Sequence, residues 1–130
     1  MKVAVSSVGN TLSSFVDIRF GRCPYFIIVE IENNKIKGFE FVPNEAAMVG
    51  GGAGIRAAQL VATKGANAVI CGNIGPNAML ALSQAGIKVY IASGMSVKDA
   101  VEKFIKGELT EVSAPTFRPG GFRRRFRGGW

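Results

Sequence analysis

The stretch that decides the fold runs from residue 50 to residue 90 and consists of GGGAGIRAAQLVATKGANAVICGNIGPNAMLALSQAGIKVY. A glycine loop leads into an amphipathic helix over 55–64 and a buried strand over 68–71. A glycine–proline turn then opens a second helix over 77–85 and a second strand over 87–91. Parallel strands joined by a crossover helix form a βαβ unit, which predicts an α/β sheet covered on both faces.

The residues before this stretch extend the same sheet. A strand over 2–6 precedes a polar loop, and a hairpin joins strands over 25–31 and 36–42. If strand two pairs antiparallel with strand one, the result is a mixed five-stranded sheet of order 3-2-1-4-5. One edge of that sheet then forms a crevice, which is where open α/β sheets bind ligands. The crevice gathers Ser6-Ser7, Arg19–Cys23 and Cys71–Gly75.

The chain after the βαβ unit divides into one more helix and a tail. Ser96 is a suitable N-cap for a helix over 97–106, and the predicted domain comprises residues 1–112. Residues 113–130 contain glycine, proline, arginine and isolated aromatic residues without periodicity, which predicts a disordered basic tail. Five arginines and no acid give the last sixteen residues +5 of the net charge of +7. They are Arg118, Arg123, Arg124, Arg125 and Arg127.

These tail arginines, spaced by aromatic residues, fit three roles. One is RNA binding through phosphate contacts and stacking. Another is holding a different polyanion, including an anionic iron–sulfide assembly, through guanidinium groups. The third is a solubilising extension with no specific ligand.

The composition excludes several function classes. A chain of 130 residues supports one domain, and no window is apolar for long enough to span a bilayer. Two cysteines favour free thiols and a cytoplasmic location over a disulfide scaffold. Because the chain has no histidine, Ser-His-Asp, Cys-His and histidine–metal sites are excluded. No carboxylate pair stands out as acid and base, so we expect no enzyme.

The glycine loop matches the letters of a dinucleotide fingerprint at Gly52-x-Gly54-x-x-Ala57. The preceding strand ends too early for that motif, and the next strand lacks the acid that binds a ribose, so no nucleotide is expected. The loop remains either an anion site at a helix N-terminus or a set of glycines needed for close packing. The turn over 72–77 has the same two interpretations, and an ordinary β–α turn is favoured there.

The two cysteines are candidate metal ligands at the crevice. Cys23, beside Arg22 and before Pro24, is predicted to be an exposed thiol whose pKa is lowered by Arg19 and Arg22. Cys71 lies in a buried strand, where cysteine is a common core residue. The spacing of strands places the two about 10 Å apart, too far for a disulfide but open to a shared metal–sulfur cluster. Asp17 is expected to form a structural ion pair with the neighbouring arginines.

Four blocks carry a resemblance to a known family: Asp17-x-Arg19-Phe20-Gly21-Arg22-x-Pro24-Tyr25-Phe26, Gly51-Gly52-Ala53-Gly54-Ile55-Arg56-x-Ala58-Gln59, Gly75-Pro76-Asn77-Ala78 and Ala85-Gly86-Ile87-x-Val89-Tyr90. Over roughly residues 1–110 the chain resembles the dinitrogenase iron–molybdenum cofactor biosynthesis family, of the NifX and NifB C-terminal type. Within that family it looks like the small stand-alone archaeal and bacterial members with arginine–glycine tails.

The resemblance implies a ribonuclease H-like three-layer α/β/α fold and a non-catalytic role. That role is binding, carriage or storage of an iron–sulfur-type or iron–molybdenum-type cluster or its precursor. The implied partners are donor or acceptor proteins of cluster assembly, and a homo-oligomer is compatible with too few cysteines for a closed four-cysteine site. Together with the crevice, it gives the predicted cofactor-binding residues Arg19, Arg22, Cys23, Gly51, Gly52, Gly54, Arg56 and Asn73.

Overall fold

The computed structural model describes residues 1–48 and 50–116. The strands found in these residues are β1 (Lys2–Ser7), β2 (Tyr25–Glu32), β3 (Lys35–Pro43), β4 (Ala68–Cys71), β5 (Lys88–Ile91) and β6 (Thr110–Val112). The helices are a 3-10 helix (Glu45–Met48), α1 (Ala53–Thr63), α2 (Pro76–Gln84) and α3 (Val97–Ile105). Apart from the short 3-10 helix and β6, each element was predicted, with ends that differ by no more than two residues.

The strands form one mixed sheet of order β3-β2-β1-β4-β5-β6. β1 pairs antiparallel with β2 and parallel with β4, and β4 pairs parallel with β5. The predicted order of the first five strands is therefore confirmed. The prediction of five strands was wrong, because β6 adds a sixth strand antiparallel to β5. Its three residues are too few to show an alternating pattern, and pairing with the edge of β5 defines the strand.

The sheet is covered on both faces, as predicted. Alternate residues of β1 enter opposite cores, since Ala4 joins one buried cluster while Val3 and Val5 join the other. The first core is completed by buried residues of α1 and α2, and the second by buried residues of α3. The result is a three-layer α/β/α arrangement, for which a ribonuclease H-like topology stays a prediction.

One edge of the sheet gathers the elements that form the site. Ser7 at the end of β1 pairs with Tyr25 at the start of β2. The end of β4 lies at the same edge, and the segment before β2 joins it through a bridge between Arg19 and Asn73. None of the helices in the described residues is long and apolar enough to cross a membrane.

Candidate anion-binding cleft

A cleft of about 470 Å³ opens at this edge of the sheet. Three segments line it: residues 19–22, the first residues of α1, and residues 73–78, which include the first turn of α2. It lies at the sheet edge where the strand order predicted a crevice, and residues 19–22 and 73–75 of that prediction line it. The other residues placed there by the prediction do not line it: Ser6, Ser7, Cys23, Cys71 and Gly72. Its lining contains two arginines and, within the part of the chain that the structure describes, no acidic side chain.

Glycines let the three segments approach one another closely. A Cβ atom on Gly21 would lie 3.0 Å from the backbone nitrogen of Gly54, and one on Gly54 would lie 3.0 Å from the Cβ of Ala78. A Cβ atom on Gly72 would lie 2.6 Å from the Cα of Ile18. Close packing against Ala78 is therefore a sufficient reason for glycine at position 54. The same contact brings the first turns of α1 and α2 together.

The N-termini of α1 and α2 differ from that of α3. Gly52 is the N-cap of α1, in the left-handed region at φ 73°, and Gly75 is the N-cap of α2. Neither N-cap makes a side-chain capping hydrogen bond, whereas Ser96 Oγ at α3 accepts a bond of 3.1 Å from the Asp99 amide. First-turn amides have no partner within their own helix and carry partial positive charge. The cleft therefore has two such helix ends along its wall.

Arg19 is held at the cleft by Asp17. Its Nε and Nη2 donate to the two carboxylate oxygens at 3.1 and 3.0 Å, and its backbone amide donates at 2.8 Å. The Asp17 side chain is 4% exposed and that of Arg19 59%. Burial acts to raise the pKa of Asp17, but the hydrogen bonds and charge of Arg19 outweigh it and the pKa lies below its ordinary value. The predicted ion pair thus fixes an arginine whose remaining edge is exposed to solvent.

Only some of the other predicted site residues lie in the cleft. Arg22 and Asn73 line the cleft, and Arg22 Nη1 donates to the Ala47 carbonyl at 3.0 Å. Gly51 and Gly52 are exposed in the loop before α1. Arg56 lines a neighbouring depression of about 510 Å³ rather than the cleft. The tail arginines lie outside the described residues.

The prediction of an exposed, acidic thiol at Cys23 was wrong. Both cysteines are fully buried in the core between the sheet and the α1–α2 layer. Cys23 Sγ donates to the Phe20 carbonyl at 3.3 Å, and the Asn44 amide reaches the same sulfur at 3.7 Å. Burial raises the pKa of each thiol to about 12. Among the described residues no group of three or more His, Cys, Asp or Glu could hold a metal ion.

Comparison with known proteins places the chain in a family. The family model for the dinitrogenase iron-molybdenum cofactor matches residues 1–107. The chain belongs to the dinitrogenase iron-molybdenum cofactor family. One relative, an uncharacterized protein of Methanocaldococcus jannaschii, is 42% identical over 109 residues, covering 84% of this chain and 89% of that protein.

Two solved structures of similar proteins share the fold. The apo form of the orange protein from Desulfovibrio gigas has a TM-score of 0.85 at 36% identity, covering 89% of this chain and 96% of that one. A candidate NifB protein from Thermotoga has a TM-score of 0.77 at 39% identity, covering 89% and 97%. The likeness therefore extends over nearly all of the domain that carries the cleft.

Two features of this family member's cleft were missed from the sequence. Asn77, exposed in the first turn of α2, lines the cleft beside Asn73, although it stood in a quoted family block. Thr116, placed in the predicted tail, is hydrogen-bonded to Ile74 in the cleft wall. The GPN sequence signalled the first of these, but no local pattern signals the second, because its partner is 42 residues away.

Proposed function

We propose that this protein binds and carries an anionic metal–sulfur cluster, of the iron–sulfur or iron–molybdenum type, or its precursor. The cluster is cargo and occupies the cleft, and no reaction is catalysed on it. Membership of the dinitrogenase iron-molybdenum cofactor family supports the class of ligand. Donor or acceptor proteins of cluster assembly are the proposed partners.

The observation that carries the proposal is the charge of the cleft. Arg19 and Arg22 line it, the uncapped first turns of α1 and α2 meet there, and its described lining holds no carboxylate. Backbone amides at helix N-termini bind anions, and amide concavities of this kind also hold iron–sulfur sites. Charge-assisted hydrogen bonds from guanidinium groups are about twice as strong as neutral ones.

The mode of binding follows from the buried thiols. Cysteine thiolates are the usual ligands of iron–sulfur clusters, but Cys23 and Cys71 are buried and their pKa values are about 12. We therefore assign the contacts to the outer sulfur atoms of a preformed cluster, which accept hydrogen bonds from amides and arginines. Cys23 then stabilises the loop beneath the cleft rather than coordinating metal.

A carrier role fits the side chains around the cleft better than catalysis does. Acid–base chemistry needs a titratable group within reach of the ligand. The described lining offers arginine, asparagine and apolar residues, and the nearby carboxylate of Asp17 is engaged by Arg19. Such a lining binds an anion without a group that would transfer protons to it.

The test is cluster retention by the full-length protein under anaerobic conditions. The protein is purified without oxygen, supplied with iron and sulfide or with tetrathiomolybdate, and passed through a gel-filtration column. Iron, molybdenum and acid-labile sulfide are then measured in the protein peak. We expect retained metal and sulfide, and a protein that retains neither after both treatments contradicts the proposal.

A paired variant locates the binding site. Asp17→Asn with Arg19→Gln removes both partners of the ion pair and leaves the net charge unchanged. Because a hydrogen bond to a charged group contributes about 1.5–3 kcal/mol, affinity should fall by at least roughly tenfold. The matched control is Lys98→Gln with Asp99→Asn, which removes one cation and one anion from the surface of α3 and should bind as the wild type does. Equal affinities for all three proteins would place the cluster elsewhere.

A further inference from the structure

The turn between β4 and α2 is held from two sides. On one side, the Asn73 amide donates to the Ile18 carbonyl at 2.6 Å. On the other, the Ile74 amide donates to Thr116 Oγ1 at 2.8 Å, and the Ile74 carbonyl accepts from the Thr116 amide at 3.0 Å and from Oγ1 at 3.3 Å. Because Ile74 is buried, these bonds satisfy backbone groups that cost free energy when they lack a partner.

This turn sets the position of the amides that α2 offers to an anion. The first amides of an α-helix have no partner within the helix. In α2 the first helical residue is Pro76, which has no N–H group, and the Met79 amide donates to the Gly75 carbonyl at 3.0 Å. Asn77 and Ala78 are therefore the first-turn residues whose amides a ligand can bind, and both residues line the cleft.

We propose that Thr116 is a positioning residue for the anion, because it fixes Ile74 and, through Ile74, the first turn of α2 beside Arg19. This inference rests on the proposed function and adds to it a residue that does not itself line the cleft. Asn73, the neighbour of Ile74, is already bridged to Arg19. Without the Thr116 bonds the turn would be held by the bridge side alone, and the amides of α2 would be less well placed before the anion binds.

Thermodynamic linkage makes the proposal testable in the wild-type protein. If the bond between Ile74 and Thr116 favours anion binding by a given factor, the bound anion must favour that bond by the same factor. The Ile74 amide should therefore exchange its hydrogen more slowly when the anion is bound. The Asp99 amide is the matched control, since it also donates to a side-chain hydroxyl, that of Ser96 at 3.1 Å, but at the start of α3.

Hydrogen exchange is measured by NMR on isotope-labelled full-length protein, without oxygen, in the absence and presence of saturating tetrathiomolybdate. We expect exchange of the Ile74 amide to slow about fivefold, which corresponds to one hydrogen bond of about 1 kcal/mol. Exchange of the Asp99 amide should change by less than about twofold, roughly 0.4 kcal/mol. Equal slowing of both amides, or no slowing at Ile74 while dialysis shows binding, overturns the inference and leaves the cleft site standing.

Substitutions at Thr116 test the same bond from the side of affinity. Thr116→Val removes the hydroxyl, keeps the shape of the side chain and leaves the backbone bond to Ile74 in place. Affinity for tetrathiomolybdate should fall about fivefold, and Thr116→Ser should stay within about twofold of the wild type. The control is Thr110→Val, the same change at an exposed residue of β6, which should bind as the wild type does. Wild-type affinity in Thr116→Val overturns the inference.

Two further outcomes separate positioning from stability and from the proposed function. Ser96→Ala also removes a hydroxyl that accepts an amide hydrogen bond, so it lowers stability at α3 without touching the turn. An equal loss of affinity in Ser96→Ala and Thr116→Val would show that stability governs binding, and it overturns the inference alone. If the wild type binds no tetrathiomolybdate, the proposed function fails and this inference fails with it.

Discussion

The helices on the two faces of the sheet begin in opposite ways. On one face, α1 and α2 start at Gly52 and Gly75 without a side-chain cap, and their first turns line the cleft. On the other face, α3 starts at Ser96, whose hydroxyl accepts a hydrogen bond of 3.1 Å from the Asp99 amide. A side-chain cap normally stabilises a helix by about 1 kcal/mol relative to a residue that cannot cap.

Under the proposed function, the capped start of α3 contributes to stability, whereas the uncapped starts of α1 and α2 contribute to anion binding. A serine or aspartate at the start of α1 or α2 would occupy the amides that an anion needs. Glycine leaves those amides available and permits the close contact between Gly54 and Ala78. The capped helix α3 has only a structural role in this account, and the paired variants below compare the two kinds of helix start.

The largest expected effect concerns the thiols beneath the cleft, because the account assigns anion binding to amides and not to cysteine. With pKa values of about 12 rather than 9.0, Cys23 and Cys71 should react with a disulfide reagent at pH 8 about a thousandfold more slowly than in urea. The measurement is thiol release followed by absorbance, with and without denaturant. Fast reaction of one thiol in the folded protein would restore Cys23 as a candidate metal ligand.

The base of the cleft should be the most sensitive position to added volume. Gly72→Ala places a Cβ atom 2.6 Å from the Ile18 Cα, so the backbone before Arg19 must shift. We expect a loss of about 2–3 kcal/mol in the free energy of unfolding, measured by urea denaturation. Gly38→Ala is the control, since nothing lies within 4 Å of its Cβ position. A Gly72→Ala protein as stable as the control would show that these segments do not pack closely.

A single negative charge at the start of α2 should raise the stability of the fold and lower the affinity for the anion. Asn77→Asp is nearly isosteric and puts a carboxylate on an exposed first-turn residue of the cleft. The helix dipole should then stabilise the fold by about 0.3–1 kcal/mol, while affinity for tetrathiomolybdate falls at least about tenfold.

The corresponding position of α3 provides the control for this variant. Lys98→Gln changes the net charge by the same amount, at the same position after the N-cap, and should leave affinity within about twofold, roughly 0.4 kcal/mol. Equal losses in Asn77→Asp and Lys98→Gln would mean that binding depends on net charge and not on the cleft.

The capped helix should show the reverse behaviour. Ser96→Ala removes the hydroxyl that accepts a hydrogen bond from the Asp99 amide. The free energy of unfolding should therefore fall by about 1 kcal/mol. Affinity for the anion should not change, because α3 lies on the other face of the sheet. Thermal unfolding and equilibrium dialysis on the same preparation measure both quantities. Weaker anion binding at unchanged stability would break the contrast between the two faces.

The sequence predicted the scaffold well because the scaffold depends on local patterns. The β-branched runs, the glycines after each helix and the Ser96 cap all act within a few residues, and the first five strands follow from them. The crevice followed in turn, because the ends of parallel strands meet at one edge of a sheet.

The features that the sequence did not predict depend on contacts between residues far apart in the chain. Arg22 beside Cys23 predicted an acidic thiol, but Phe20 and Asn44 enclose the sulfur, and Asn44 is 21 residues away. β6 exists because its three residues pair with β5, and Thr116 reaches Ile74 across 42 residues. No pattern within a single segment contains these contacts.

We propose that amides and arginines of the cleft, not protein thiolates, hold the cluster. The most direct test is an anaerobic titration of wild-type and Cys23→Ser proteins with a preformed thiolate-ligated [4Fe–4S] dianion, measured by equilibrium dialysis. We expect saturable binding by both proteins, with affinities that agree within about threefold, roughly 0.7 kcal/mol. Saturable binding by the wild type that is lost in a folded Cys23→Ser protein would contradict it, because the sulfur of Cys23 would then be a ligand.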